Sequence, residues 1–123
     1  MPMKILVVDD EPLIRLGLAS LVEDAGYEVI EAANAKDAIA KLESAPDVRV
    51  VLTDVDMPGT MDGIGLAHYV RGRWPPIQLI VMSGKVGVKQ AELPAGSRFF
   101  TKPTRETMLL DALRELSAAG GAS

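Results

Sequence analysis

Val50-Val51-Leu52-Thr53-Asp54-Val55-Asp56-Met57-Pro58 is the stretch that decides the fold. Four mostly branched, non-alternating residues read as a strand buried on both faces of a parallel sheet, and the strand runs directly into a carboxylate. An earlier run, Ile5-Leu6-Val7-Val8, ends the same way in Asp9-Asp10-Glu11. Parallel strands finish at a common edge, so Asp9, Asp10 and Asp54 are brought together there, and their mutual repulsion calls for a compensating cation. A hard cation such as Mg²⁺ takes oxygen ligands and keeps waters, which suits carboxylates from Asp10 and Asp54 with a main-chain carbonyl. Helix capping by Asp9 and Asp10 is the plainer alternative, but one cap does not need two adjacent acids and a third.

Working outward, Ile77 to Met82 gives a further buried strand, with weaker strand signals at Glu28 to Glu31 and Arg98 to Thr101. Between them the apolar spacing turns helical. Ile14, Leu18, Leu21, Val22 and Ala25 share a face of a first helix that Gly26 stops. Asn34 is expected to cap a second helix, with Asp37 in capping-box position and a buried stripe of Ala35, Ala38, Ile39 and Leu42. Asp62 is expected to cap a third carrying Leu66, Ala67 and Val70, and Thr104 a last one carrying Leu109, Ala112, Leu113 and Leu116. The stretch from Lys85 to Gly96 holds two glycines and Pro94, so the fourth helix of the series is predicted short or irregular. The chain reads as β-α five times over. Right-handed crossovers make this an α/β fold, an open, doubly wound five-stranded parallel sheet with helices on both faces and ligands at the carboxyl ends of its strands. Asp9, Asp10, Asp54, Ser83 and Lys102 all fall at such ends.

Bulk properties narrow the function. The 123 residues and an apolar fraction of 48% suit one domain, expected over 1–123 with the tail 118–123 frayed. A net charge of −4 with scattered basic residues argues against nucleic-acid binding, and five aromatic residues offer no stacking platform. With no cysteine there is no disulfide, thiolate nucleophile or sulfur-ligated metal. Met1-Pro2-Met3-Lys4 leads straight into a strand, so no signal peptide or membrane insertion is expected, and a cytoplasmic location is. His68, the sole histidine, reads as a helix-surface or packing residue, because no acid or nucleophile has a fixed spacing to it. Ser83-Gly84 reads as a turn that frees a hydroxyl near Asp54, and Lys102 as the counter-charge of the acids, before a proline that permits a cis peptide.

Together, Leu6-Val7-Val8-Asp9-Asp10-Glu11-Pro12, Asp54-Val55-Asp56-Met57-Pro58, Met61-Asp62-Gly63, Ser83-Gly84 and Phe99-Phe100-Thr101-Lys102-Pro103 resemble the receiver domain of two-component response regulators. The resemblance covers the whole chain in the family's order, and is nearest to single-domain, chemotaxis-regulator-like receivers. It implies a flavodoxin-like sheet of order 2-1-3-4-5. It implies Asp54 as phosphoacceptor, Mg²⁺ held by Asp9, Asp10, Asp54 and the main-chain carbonyl of Asp56, and Ser83 and Lys102 on the phosphoryl oxygens. Ser83 and Phe99 would be the switch pair, Phe99 lacking the hydroxyl of a tyrosine. The phosphodonor would be a sensor histidine kinase or histidine phosphotransfer protein, the output an unnamed protein target, and the only catalysis the domain's own phosphorylation and dephosphorylation. Compared with the common pattern the Met57 to Gly63 segment is longer and the Ser83 to Lys102 interval shorter, so the family's output face does not carry over at the latter.

Two other readings are carried forward. Asp54-Val55-Asp56 also matches the paired aspartates of haloacid-dehalogenase-type phosphohydrolases, although Pro58 stands where Thr or Val is usual and no cap domain is predicted. A receiver-like interaction module without phosphorylation is the other, opposed by the retained Asp9, Asp10, Asp54, Ser83 and Lys102.

Overall fold

The computed structural model describes residues 2–84 and 87–121. Its elements run β1 (Lys4–Val8), α1 (Pro12–Asp24), β2 (Glu28–Ala32), α2 (Ala35–Ser44), β3 (Val48–Asp54), α3 (Gly63–Arg73), β4 (Gln78–Ser83), a 3₁₀ turn (Gln90–Glu92), β5 (Arg98–Thr101) and α4 (Glu106–Gly121). All strand pairings are parallel and the order is β2-β1-β3-β4-β5, as the sequence predicts.

Side chains alternate across a strand, and that alternation divides the core in two. Leu6, Val8, Val51, Leu79 and Val81 pack with Ala35, Ala38 and Leu42 of α2 and Leu66, Ala67 and Val70 of α3. The intervening Ile5, Val7, Val50, Leu52, Ile80 and Met82 pack with Val22 of α1 and Leu109, Ala112, Leu113 and Leu116 of α4. Both faces of the central strands are thus apolar, which explains their unbroken hydrophobic runs, and each fully buried large side chain stabilises by about 1.5–3 kcal/mol.

Two of the three expected caps form. Asn34 accepts from Asp37 N at 2.8 Å and Asp62 accepts from Gly65 N at 2.9 Å. The Asp37 carboxylate reaches Ala33 N at 3.2 Å, one residue before the position a capping box would use. Thr104 does not cap α4: its hydroxyl donates to the Thr101 carbonyl at 3.3 Å, and the helix begins two residues later, with Leu109 N bonding Arg105 O. At the other end, α4 runs through Gly121, and residues 122 and 123 lie outside the described part. Gly26 does stop α1, at φ +100°. Ala25 caps that helix and is exposed, and Ile14 is 42% exposed where a buried face was expected. The buried residues of α1 are Ala19 and Val22, deeper in the helix.

The predicted irregular fourth helix is a single 3₁₀ turn. Positions Lys85 and Val86 of that stretch lie outside the described residues. Leu93 and Pro94 are buried, and His68 Nε2 meets the Glu92 carbonyl at 2.7 Å, so the histidine donates there and ties α3 to the turn.

Gly63 fixes how closely α3 approaches the end of β3. A Cβ at this position would lie 2.1 Å from the Asp54 carbonyl oxygen, and Gly63 N donates to Val55 O at 2.9 Å. Gly63→Ala is therefore expected to destabilise the fold by about 2–3 kcal/mol, read as a lowered midpoint in urea unfolding with the slope unchanged.

Candidate functional site

The strand order reverses between β1 and β3, and a crevice opens beyond the carboxyl ends of strands at such a point. Asp9 follows β1 and Asp54 ends β3. In register, Asp54 lies beside Met82, Ser83 beside Thr101, and Lys102 N donates to Ser83 O at 2.8 Å. Asp9, Asp10, Asp54, Ser83 and Lys102, drawn from four distant stretches of sequence, therefore meet at one edge because parallel strands finish together.

Asp9, Asp10 and Asp54 each present a carboxylate oxygen within 4.8 Å of the others. Asp9 and Asp54 are buried, at 1% and 5% exposure, and Asp10 is half-buried. Burial of this depth is costly for a charged group without partners. Asp9 Oδ1 accepts from Glu11 N at 2.9 Å, whereas Asp9 Oδ2 is buried without a hydrogen-bond partner. Burial raises the Asp9 pKa above the usual carboxylate range; the Glu11 amide opposes this, and the neighbouring charge of Asp54 adds to it. Lys102 Nζ stands 3.1 Å from Asp54 Oδ1. That contact is at ion-pair distance without hydrogen-bond alignment, so Oδ1 keeps unused acceptor capacity. One lysine against three carboxylates leaves an excess of negative charge, and the orphaned Asp9 Oδ2 shows that the donor set fits a hard, oxygen-seeking cation.

Asp56 lines an open cavity of about 450 Å³ with Asp10, Val55, Met57, Pro58 and Asp62. Ser83 is wholly buried at the end of β4. Phe99 sits opposite Val81 on β5, half-buried against the α2/α3 half of the core, while Phe100 faces the other half. The Lys102-Pro103 peptide is cis. Asp9, Asp10, Asp54, Asp56, Ser83 and Lys102 thus lie at this edge, and Phe99 on a strand leading to it.

Two participants escape a sequence reading. Arg15 Nη1 donates to the Asp9 carbonyl at 2.8 Å and its Nε to Glu31 at 3.2 Å, binding α1 to the ends of β1 and β2. Its only sequence signal is a basic residue just after an acidic turn. Leu13, Leu16 and Met108 are 84%, 56% and 48% exposed, and with Ile14 they leave apolar surface on α1 and α4. Leu13 and Leu16 lie off the helical stripe, which in hindsight is the mark of an outward face.

Comparison with known proteins agrees with this geometry. Residues 5–114 match the family described as the response regulator receiver domain. The chain is 33% identical over 119 residues to the chemotaxis protein CheY of Thermotoga maritima, covering 93% of this chain and 97% of that one. It is 31% identical to the glycerol metabolism activator of Pseudomonas putida, covering 92% of this chain and 53% of the relative. The chain therefore spans about half the length of that activator. Among solved structures, the CheY-like receiver domain protein of Methanospirillum hungatei superposes with a TM-score of 0.88 at 28% identity, each chain fully covered. The receiver domain of the hybrid histidine kinase CckA gives 0.79 at 30% identity, covering 92% of this chain and 97% of that one. This likeness also sets aside the phosphohydrolase reading of Asp54-Val55-Asp56. The chain belongs to the response regulator receiver domain family, the phosphorylation-dependent switches of two-component signalling.

Proposed function

We propose that Asp54 accepts a phosphoryl group from a phosphohistidine on a sensor histidine kinase or histidine phosphotransfer protein, and that the observation carrying this reading is Lys102 at 3.1 Å from Asp54 Oδ1 inside a cluster of three carboxylates. A carboxylate oxygen attacks phosphorus, the phosphorus–nitrogen bond breaks, and the imidazole leaves. The nucleophile is already ionised, so no general base is required. Asp9, Asp10, Asp54 and the main-chain carbonyl of Asp56 would hold Mg²⁺, which supplies charge neutralisation for the phosphoryl oxygens. Lys102 shares that task. Ser83, one strand away, donates its hydroxyl to the new phosphoryl group, and the space it leaves is taken by Phe99. Hydrolysis of the acyl phosphate resets the switch, and the domain's own phosphorylation and dephosphorylation are its only chemistry. It works in the cytoplasm, on protein partners and without direct contact to nucleic acid. The output partner reads the β5 side, where the 3₁₀ turn replaces a full helix.

The donor approaches over α1. Ile14 and Leu18 border an apolar cavity of about 390 Å³ with Met82, Lys102, Pro103 and Thr104, directly beside the acids. Exposed Leu13 and Leu16 extend this surface, and an apolar patch rimmed by charge is the mark of a protein contact.

Asp54→Asn removes the attacking oxygen with little change in volume. No phospho-adduct is expected in the mass spectrum of this variant after incubation with acetyl phosphate and Mg²⁺, while the parent is modified; failure of the parent to be modified would instead favour the unphosphorylated interaction module. Leu13→Glu is expected to slow transfer from a phosphorylated histidine phosphotransfer protein by about tenfold or more, the scale of losing a buried anchor, and to leave uptake from acetyl phosphate unchanged. The raised Asp9 pKa means that the folded state holds the Asp9 proton more tightly than the unfolded chain does. Stability without Mg²⁺ therefore falls as pH rises from the unfolded to the folded pKa, and the penalty persists above it. Asp9→Asn is expected to melt higher than the parent at neutral pH without Mg²⁺. The gap should close as pH falls below the ordinary carboxylate range, as measured by thermal unfolding across pH.

A further inference from the structure

At the end of the sheet opposite the acids, the loops that lead into β3 and β4 close around a third cavity, of about 240 Å³. Its floor is Val48 and Ile77, both buried, and its walls are Pro46, Trp74, Pro75 and Pro76. These walls are already rigid. The Trp74 indole is flanked by the Tyr69 ring, with centroids 6.2 Å apart and planes tilted by 55°, and by the Arg73 guanidinium, 5.5 Å from the ring centre. Arg71 Nη1 donates to the carbonyls of Pro75 at 2.9 Å and Ile77 at 3.3 Å, which pins the loop from behind. An occupant would find the surface in place and lose little ordering entropy by using it.

The rim carries the second signal. Arg49 and Arg73 both border the cavity and both are exposed. Among the described residues neither has a carboxylate within ion-pair distance. The nearest acid in sequence, Asp47, is already held by Lys4 at 2.7 Å. In a chain of net charge −4, two exposed guanidiniums without a carboxylate partner among the described residues, one of them packed on Trp74, bracket an apolar hole and form a local reversal of sign. Guanidinium forks match carboxylates in geometry, and arginine and tryptophan are the residues that most often anchor protein contacts.

We propose that this cavity docks an acidic peptide segment of a partner protein, with one aromatic side chain inserted against Trp74 and the prolines and flanking carboxylates paired to Arg49 and Arg73. The volume admits a single ring and falls below the roughly 300 Å³ at which sites for free small-molecule ligands begin. β3 runs seven residues from this cavity to Asp54, about 20 Å, so the docked segment touches none of the phosphorylation site. The contact is a tether available in both states of the switch, distinct from the donor and output surfaces.

Trp74 is the only tryptophan, which makes intrinsic fluorescence a direct reader of this cavity. The probe is a blocked tripeptide of glutamate, phenylalanine and glutamate, titrated into the full chain with backbone amides followed in parallel by NMR. A saturable fluorescence change is expected, with amide shifts centred on Val48, Arg49, Trp74 and Ile77. The double variant Arg49→Glu, Arg73→Glu should bind about tenfold or more weakly, with its remaining spectrum and its phosphate uptake from acetyl phosphate intact. Replacing the peptide's phenylalanine with alanine, or its glutamates with lysine, should abolish the response. No shifts at those four amides with about 1 mM peptide, an equal response to the lysine peptide, or undiminished affinity in the double variant would each overturn the proposal.

Discussion

Three carboxylates within 4.8 Å of one another, two of them buried, are the constraint around which the rest of this domain is arranged. Such a cluster has no stable form in a protein interior unless cations neutralise it or protons do. Lys102 provides one positive charge against the three, while Asp9 keeps an orphaned oxygen and has its pKa raised chiefly by burial. The site is destabilised by construction. A divalent cation or a phosphoryl group with its oxygens changes that balance by a large amount, and a balance that changes so much is what a switch requires.

The sheet converts this local imbalance into a property of the whole domain. Asp54, Ser83 and Lys102 end three neighbouring parallel strands, tied by Lys102 N to Ser83 O at 2.8 Å and by the register of β3, β4 and β5. A charge placed on Asp54 is therefore one strand from Ser83 and two from Lys102 and the strand that bears Phe99. On the other side, Gly63 brings α3 into backbone contact with Asp54, so that helix is also mechanically adjacent to the chemistry. A 3₁₀ turn stands where a fourth full helix would complete the series, and His68 and Glu92 latch it to α3.

Three surface features stand at different places on this fold. The acids and Lys102 occupy the carboxyl edge of the sheet, the exposed leucines of α1 lie beside them, and the cavity around Trp74 lies at the amino edge. The first two adjoin, because α1 begins just after Asp9 and Asp10 in the chain. The third is separated from them by the length of β3 and shares only the scaffold.

The element order, the buried strands and the grouping of Asp9, Asp10, Asp54, Ser83 and Lys102 were all determined by the sequence alone. Those features are local: a run of branched residues, a helical spacing and a carboxylate at a strand end each follow from residues near one another in the chain, and parallel pairing then forces the ends together. What needed the tertiary structure were choices made by distant neighbours. Thr104 is a good capping residue by type, yet the Thr101 carbonyl is its closer partner. Ile14 sits on an apolar stripe, yet it is part-exposed and borders an open cavity with Lys102 and Pro103. Arg15 reads as an ordinary surface cation until β1 and β2 bring Asp9 and Glu31 to it. The cavity of Pro46, Arg49, Arg73 and Trp74 is assembled from two loops that only the sheet brings side by side, and no periodicity records a contact between loops.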